Sequence, residues 1–180
     1  MIAVLDLADR ISLRQLTLGD ANELAAAYRR NRSHLAPWEP SRSDDFFTEA
    51  VQAEDIAARI ALSERGTGCP LGLFDGATIV GRFNLGGVTR GAFQSAGLGY
   101  WVDGQYTGRG LATAAVKAIV LAAREDLAVH RLEASTLTYN QASQRVLMKA
   151  GFQQIGMAPR YLHIAGQWQD HNLYQTILHP

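Results

Sequence analysis

The chain carries one cysteine, Cys69, so neither an internal disulfide nor a cysteine-based zinc site can be built from it. It also lacks an excess of either charge, with 17 Lys and Arg against 17 Asp and Glu. That balance removes the broad attraction on which nucleic-acid binding normally draws. The longest apolar run, Leu111 to Ala123, contains Lys117 and falls short of the roughly 20 residues a bilayer span needs. The start, Met1-Ile2-Ala3-Val4-Leu5-Asp6, has no basic segment followed by the long apolar stretch of a secretory signal. No repeat, linker or low-complexity segment interrupts the chain. The expectation is a cytoplasmic protein, a single domain over residues 1–180, with neither nucleic acid nor membrane as partner. What is present is ordinary for a globular chain: 47% apolar and 19% charged residues, and enough length to bury well over half of the unfolded surface.

One local absence points to function. From Gly108 to Thr113 there is no acid, and there is an arginine, Arg109, although the positive end of a helix dipole usually attracts Asp or Glu to the first turn. The stretch from Gly97 through Thr113, continuing to about Asp126, reads as a strand, a glycine-bearing turn and a long apolar helix. Glycines at 108 and 110 let the backbone bend sharply and approach a ligand, while the first-turn amides of the helix have no partners of their own. Together these make an anion cradle. A two-glycine corner also serves simply to turn a chain, and the turn alone does not separate these readings. Gly108-x-Gly110-x-x-Thr113 approaches the dinucleotide fingerprint, with Glu133 at about the expected 20 residues. Against that, Thr113 replaces the third glycine, Glu133 lies inside the strand-like run Arg131 to Thr138, and repeated βαβ units are absent.

In chain order, Ile11 to Leu16 alternates as a half-buried strand does. Asp20-Ala21-Asn22-Glu23 has a capping pattern that starts a helix with Leu24, Ala27 and Tyr28 on one face. Pro37 and Pro40 bracket Trp38-Glu39 in a loop, where the tryptophan is a packing anchor or lines a pocket. A second helix is predicted from about Ser43 or Asp44 to Glu64, with Phe47, Val51, Ala58 and Leu62 on its buried stripe and Gly66 ending it. Leu71 to Phe74, Asp75-Gly76 and Thr78 to Leu85 read as a hairpin. Gly86-Gly87 begins a connection, and Phe93 to Val102 is a third strand. The helix from Gly108 to about Asp126 is apolar nearly all round and should be largely buried. His130 to Thr138 is a strand, and Asn140 caps a helix ending at Lys149-Ala150 with Gly151 beyond it. Arg160 to Ile164 and Trp168 to Leu178 close the chain as a hairpin.

These pieces in this order resemble the GNAT acetyltransferase superfamily, specifically its RimJ/RimL-type branch. The matching residues are Leu98-Gly99-Tyr100-Trp101-Val102, then Tyr106-Thr107-Gly108-Arg109-Gly110-Leu111-Ala112-Thr113, then Asn140-x-x-Ser143-x-Arg145-Val146-Leu147-x-Lys149-x-Gly151-Phe152, and finally Asp170-His171 with Tyr174. The similarity spans essentially the whole chain, including Asn31-Arg32 and Trp38. It implies an α+β fold, a strongly twisted mixed sheet flanked by helices on both faces, with acetyl-CoA as donor. By resemblance, the amides of Gly108, Arg109, Gly110, Leu111, Ala112 and Thr113 hold the pyrophosphate, and the backbone of Tyr100, Trp101 and Val102 pairs with the pantetheine arm. Asn140 contacts the pantetheine, Lys149 lies toward the adenosine, and Ser143, with Asn140, belongs to the catalytic set, protonating the leaving thiolate. The chain departs from the family at Thr107, where Gln or Arg is usual, at Gly97 and Ala114, where many members carry Glu, and at Leu147, where other GNAT enzymes place an acidic tyrosine.

The departures leave no obvious base. An α-amine, with pKa about 7.7–8.0, is about a tenth neutral at pH 7, whereas a lysine amine at about 10.4 is almost wholly protonated. An enzyme without a strong base therefore suits a protein or peptide N-terminal α-amine. The same chemistry on a small-molecule amine, or a degenerate domain that binds acyl-CoA without turnover, are the alternatives. Glu133, Tyr139, Tyr161 and His163 are candidate proton acceptors, and acceptor contacts are expected among Asn31 to Trp38 and in the final hairpin. Nothing in the sequence decides between a monomer and a homodimer.

Overall fold

Alternating burial opens the chain. The computed structural model describes residues 4–8 and 10–179, and its first two strands, β1 (Leu5–Ala8) and β2 (Ile11–Gln15), pair antiparallel. In β2, Ile11 and Leu13 are buried and alternate with half-buried neighbours, as a pleated strand with one covered face requires. Helix α1 (Ala21–Arg30) buries Leu24, Ala27 and Tyr28 as patterned, but its entry differs from the expected Asp20–Glu23 box. The Asp20 carboxylate receives Arg14 at 2.8 and 2.7 Å and the Thr17 N–H at 2.8 Å. Glu23 accepts instead from the Ile79 N–H at 3.2 Å.

A short α2 (Arg32–Leu35) leads into the Trp38 loop, and residues 44–47 form a separate 3₁₀ turn. Helix α3 (Glu49–Glu64) therefore starts later than expected, at an extended Thr48 whose hydroxyl accepts from the Val51 N–H. Its buried line is Gln52 and Ile56, whereas Ala58 and Leu62 are exposed and Val51 and Phe47 half-buried. The expected stripe was displaced because a polar residue occupies the core position. The Gln52 amide nitrogen donates to the Phe46 carbonyl at 2.6 Å, while its Oε1 is buried without a partner among the described residues.

Strands β3 (Cys69–Asp75), β4 (Thr78–Thr89) and β5 (Ser95–Val102) form an antiparallel meander. β4 continues through Gly86-Gly87, where a connection was expected. Gly87 at φ +61° absorbs an irregularity, and Thr89 re-pairs with Ser95. A single 3₁₀ turn at 104–106 precedes α4 (Leu111–Ala122), which runs on as one π turn at 123–127. α4 is less enclosed than its composition suggested. Leu111, Ala115, Val116 and Ile119 are buried, but Lys117 is exposed and Leu121 is 59% exposed. Strand β6 (Arg131–Leu137), helix α5 (Gln141–Lys149) and the pair β7 (Gln153–Ile164) and β8 (Gln167–Ile177) complete the chain. β7 begins seven residues before the expected Arg160, through an exposed Gln-, Gly- and Pro-bearing stretch held by pairing to β8 alone.

The strands form one eight-stranded sheet in the order β1-β2-β3-β4-β5-β6-β8-β7, with β5–β6 its parallel contact. Adjacent residues Leu73 and Phe74, and Ile79 and Val80, divide between two apolar clusters, so the clusters cover opposite faces of the sheet. α1 and Ile56 of α3 lie in one cluster; α4 and Leu147 of α5 lie in the other. The expected mixed sheet flanked on both faces is thus present. β5 and β6 pair only where Ser95–Gly97 meets 131–133. Beyond that, β5 stays with β4 and β6 with β8, and the sheet opens between them.

Candidate active site

The opening leaves main chain without a partner. From 98 to 102, β5 is paired on one side, to β4, and among the described residues no strand faces its other side. Interior N–H and C=O groups require partners, so a free ladder edge inside a cleft is a place for an extended ligand. Beyond Val102 the buried Asp103, 1% exposed, fixes the exit. Its carboxylate accepts from Arg30 Nε and Asn31 Nδ2, each at 2.8 Å, and from the Gln105 N–H at 2.9 Å. Asn31 Oδ1 in turn accepts from the Gly104 N–H at 2.9 Å. Burial alone would raise the Asp103 pKa, but the Asn31 and Arg30 hydrogen bonds, the Gln105 amide and the Arg30 charge outweigh it and hold the carboxyl below its ordinary range. Asn31, expected on the acceptor side, is a buried clamp.

The clamped segment delivers the glycine turn. Gly108 and Gly110 sit at φ +75° and +78°, in the left-handed region that penalises residues with a Cβ. A Cβ built on either would meet no protein atom within 4 Å. Packing therefore does not exclude a side chain here; the backbone conformation does, and the space stays open for a molecule from outside. Gly110 is the N-cap of α4, whose first turn carries no acid. Thr107 spends its hydroxyl on the Gly104 carbonyl at 2.9 Å. Arg109 turns away: its guanidinium donates to the Gln105 carbonyl at 2.9 Å and lies 4.6 Å from the Tyr106 ring centre. Of Arg109 only the main chain belongs to the cradle.

A cavity of about 470 Å³ occupies the opening, a size ordinary for a small-molecule site. Every residue expected to hold the coenzyme or to protonate the thiolate lines it except Arg109. Asn140 caps α5, its Oδ1 accepting from the Ser143 N–H at 3.1 Å, which aims the first turn of that helix at the cavity. Ser143 Oγ lies 2.9 Å from the Tyr100 hydroxyl. Tyr100 is stacked on Phe83, with ring centres 5.4 Å apart. Burial, only partly offset by the Ser143 hydrogen bond, pushes the phenol up to about 12. The sequence used Tyr100 for its backbone alone; its hydroxyl was missed.

Glu133, Tyr139, Tyr161 and His163 do not line the cavity. Glu133 is held in the ladder between Gly97 and Gln175, Tyr139 packs at a tilt against Trp38, Tyr161 likewise against His171, and His163 meets Trp168 edge to face. The cavity instead carries Glu39, His34 and Arg145. Burial raises the Glu39 carboxyl above its ordinary range, with Arg42 and Arg82 working in the opposite direction. No spacing or local pattern marked it. Lys149 and Arg145 stand four residues apart on α5 and reach the same cavity, which gives it positive charge beyond the helix dipole.

Residues 10–153 match a family described as "Acetyltransferase (GNAT) domain". The chain belongs to the GNAT acetyltransferase family. It is 34% identical to the probable N-acetyltransferase YjcK of Bacillus subtilis, with 94% of each chain covered. The solved structure of a ribosomal-protein-S5-alanine acetyltransferase from Vibrio fischeri superposes with a TM-score of 0.93 at 30% identity, covering 97% of this chain and 96% of that one. Mycobacterium smegmatis RimJ, solved in complex with CoA-disulfide, gives a TM-score of 0.87 at 32% identity, covering 93% and 81%. This GNAT chain is an acetyl-CoA-dependent N-acetyltransferase. The cradle open to solvent, the free β5 edge and the cationic face of α5 all fit that coenzyme.

Proposed function

We propose that this enzyme acetylates the α-amine of a protein or peptide N-terminus, acting in the cytoplasm. The reading is carried by one cavity that joins the glycine cradle, the free edge of β5 and the Ser143–Tyr100 pair. The similarity to the Vibrio fischeri S5-alanine acetyltransferase over nearly the whole chain supports an N-terminal acceptor.

Acetyl-CoA supplies an acetyl carbonyl activated as a thioester. In this reading the main-chain amides of 108–113 hold the diphosphate, with Arg145 and Lys149 adding charge beside it. Tyr100, Trp101 and Val102 offer their unpaired main chain to the pantetheine as an added strand would. Asn140 fixes the turn that presents Ser143. The Tyr100 phenol keeps its proton throughout the physiological range, so it can donate to Ser143 Oγ. Ser143's own hydrogen is then free to turn into the cavity, where it meets the negative charge that develops on sulfur. Much of the rate comes from holding the reactants in attack geometry.

Thiol release from acetyl-CoA, measured with a panel of short peptides, lysine-only peptides with blocked N-termini, and small amines, tests the reading. Turnover is expected with free α-amines and not with the blocked peptides. Turnover confined to small amines, or coenzyme binding without turnover, would overturn it.

A further inference from the structure

A second cavity of about 340 Å³ adjoins the loop after α2, walled by the aromatic rings of Tyr28, Phe46 and Phe47. Leu35 and Glu39 line both this cavity and the coenzyme cavity, so Glu39 stands at their junction. Its main chain is fixed from both directions. The Glu39 N–H donates to the Leu35 carbonyl at 3.2 Å, and the Glu39 carbonyl accepts from the Ala165 N–H at 3.0 Å, in the turn between β7 and β8. Its carboxylate, by contrast, accepts no hydrogen bond from any described residue. Glu39 is half-buried and its oxygens are not among the enclosed, unpartnered side-chain atoms, so a donor entering from outside can reach the carboxylate.

The groups around it explain how it stays chargeable. Tyr28 and Arg82 form one side, with Arg82 Nη1 donating to the Tyr28 hydroxyl at 3.2 Å, and Arg82 is itself paired with Asp55. Arg42, stacked on Phe46, and Arg32, stacked on Phe47 and paired with Asp44, line the outer side. His34 and Tyr100 line the coenzyme side. The guanidinium charges of Arg42 and Arg82 oppose the burial that raises the carboxyl. Tyr28, pushed up chiefly by burial, stays a neutral hydroxyl.

We infer that Glu39 is the proton acceptor for the attacking amine and that the second cavity seats the residue bearing that amine, an inference that rests on the N-terminal acetyltransferase reading above. Glu39 takes one proton from the ammonium. The freed nitrogen pair forms the N–C bond as the C–S bond breaks. A second nitrogen proton replaces the one that Ser143 gives to sulfur, and the proton on Glu39 leaves to solvent. Below the amine's pKa this arrangement uses the abundant ammonium form, so the rate need not fall with the neutral-amine fraction.

The test uses the full chain, a peptide with a free N-terminal alanine and a pH range from about 5.5 to about 9.5. Wild type is expected to hold kcat/KM nearly level below the peptide amine's pKa, down to the Glu39 carboxyl. Glu39→Gln should lose about tenfold per pH unit below about pH 8 and recover toward wild type above it, because only pre-existing neutral amine then reacts. Glu39→Asp should retain the shape of the wild-type profile. Calorimetry with CoA should give the same Kd for Glu39→Gln and wild type, which verifies the fold and the cradle. Ala36→Phe, at the exposed turn residue that follows α2 and lines the second cavity, should weaken peptide binding to the CoA-loaded enzyme by about tenfold or more. A Glu39→Gln profile parallel to wild type would overturn the base assignment, and unchanged peptide affinity in Ala36→Phe would overturn the cavity. If wild type binds CoA yet turns over no peptide at any pH, the proposed function itself fails, a result distinct from both.

Discussion

At the scale of single residues, Gly110 and Ser143 test different halves of the site. Gly110→Asp places a Cβ at φ +78°, costing about 1–2 kcal/mol in strain, and sets a carboxylate in the opening an anion is to occupy. CoA affinity measured by calorimetry is expected to fall at least about tenfold, a step of roughly 1.4 kcal/mol. An unchanged Kd would remove the cradle from the site. Ser143→Ala leaves the α5 cap intact, because Asn140 accepts from the Ser143 main chain and not from its hydroxyl. Steady-state kinetics should show kcat reduced by about 10²-fold with a smaller change in KM. Tyr100→Phe should cost less, since the serine keeps its own proton. A normal kcat in Ser143→Ala would return that hydroxyl to the role of solvating a helix turn. Glycine positions and the Asn140 cap were legible in the sequence because their meaning is local: a positive φ and a first-turn amide are settled within a few residues. The Glu39 carboxylate was not, because although Arg42 lies only three residues on, its meaning also depends on Arg82 of β4 and Tyr28 of α1, which the fold alone brings beside it.

At the scale of elements, the joint between α1 and the end of β5 is the one to break. Asp103→Ala leaves the Asn31 amide without its cross-chain acceptor and Arg30 without its carboxylate. Arg30 is solvent-accessible and keeps the Ile79 carbonyl, so the cost is that of a buried amide losing one acceptor, about 1–3 kcal/mol, and urea unfolding should show a loss of that order. Because the Asn31–Gly104 contact aims the segment entering the cradle, the same variant should bind CoA more weakly. Elsewhere the elements show where periodicity misleads. The apolar stripe written along α3 pointed to Val51, Ala58 and Leu62, but tertiary packing turned the Gln52–Ile56 line inward, since Phe46 supplies a carbonyl for the buried amide. β7 was half seen, because residues 153–159 have little strand character and are extended through their pairing with β8.

At the scale of the molecule, stability depends on carboxylates held ionised. Burial works to raise Asp20, Asp55 and Asp103, but Arg14 at the first, Arg82 and Arg59 at the second, and Asn31 with Arg30 at the third prevail, so each sits below its ordinary pKa. A depressed carboxyl contributes stability that is complete above its unfolded-state pKa, about 3.9, and is lost as pH falls through the folded value. Thermal denaturation should show a melting temperature little changed from about pH 6 down to about 4.5 through these groups, then a steep fall below about pH 4. Asp103→Ala should flatten that acid limb. The amino-acid sequence by itself determined the strand–turn–helix cradle, the capped α5 helix and the family, because glycine dihedrals, capping side chains and hydrophobic period act over short distances. Only the tertiary structure decided that β5 and β6 part after three paired residues, that Tyr100 meets Ser143, and that Glu39 stands between two cavities. Those depend on sheet topology and on charges brought together from α1, β4 and the loops, which no window of sequence contains.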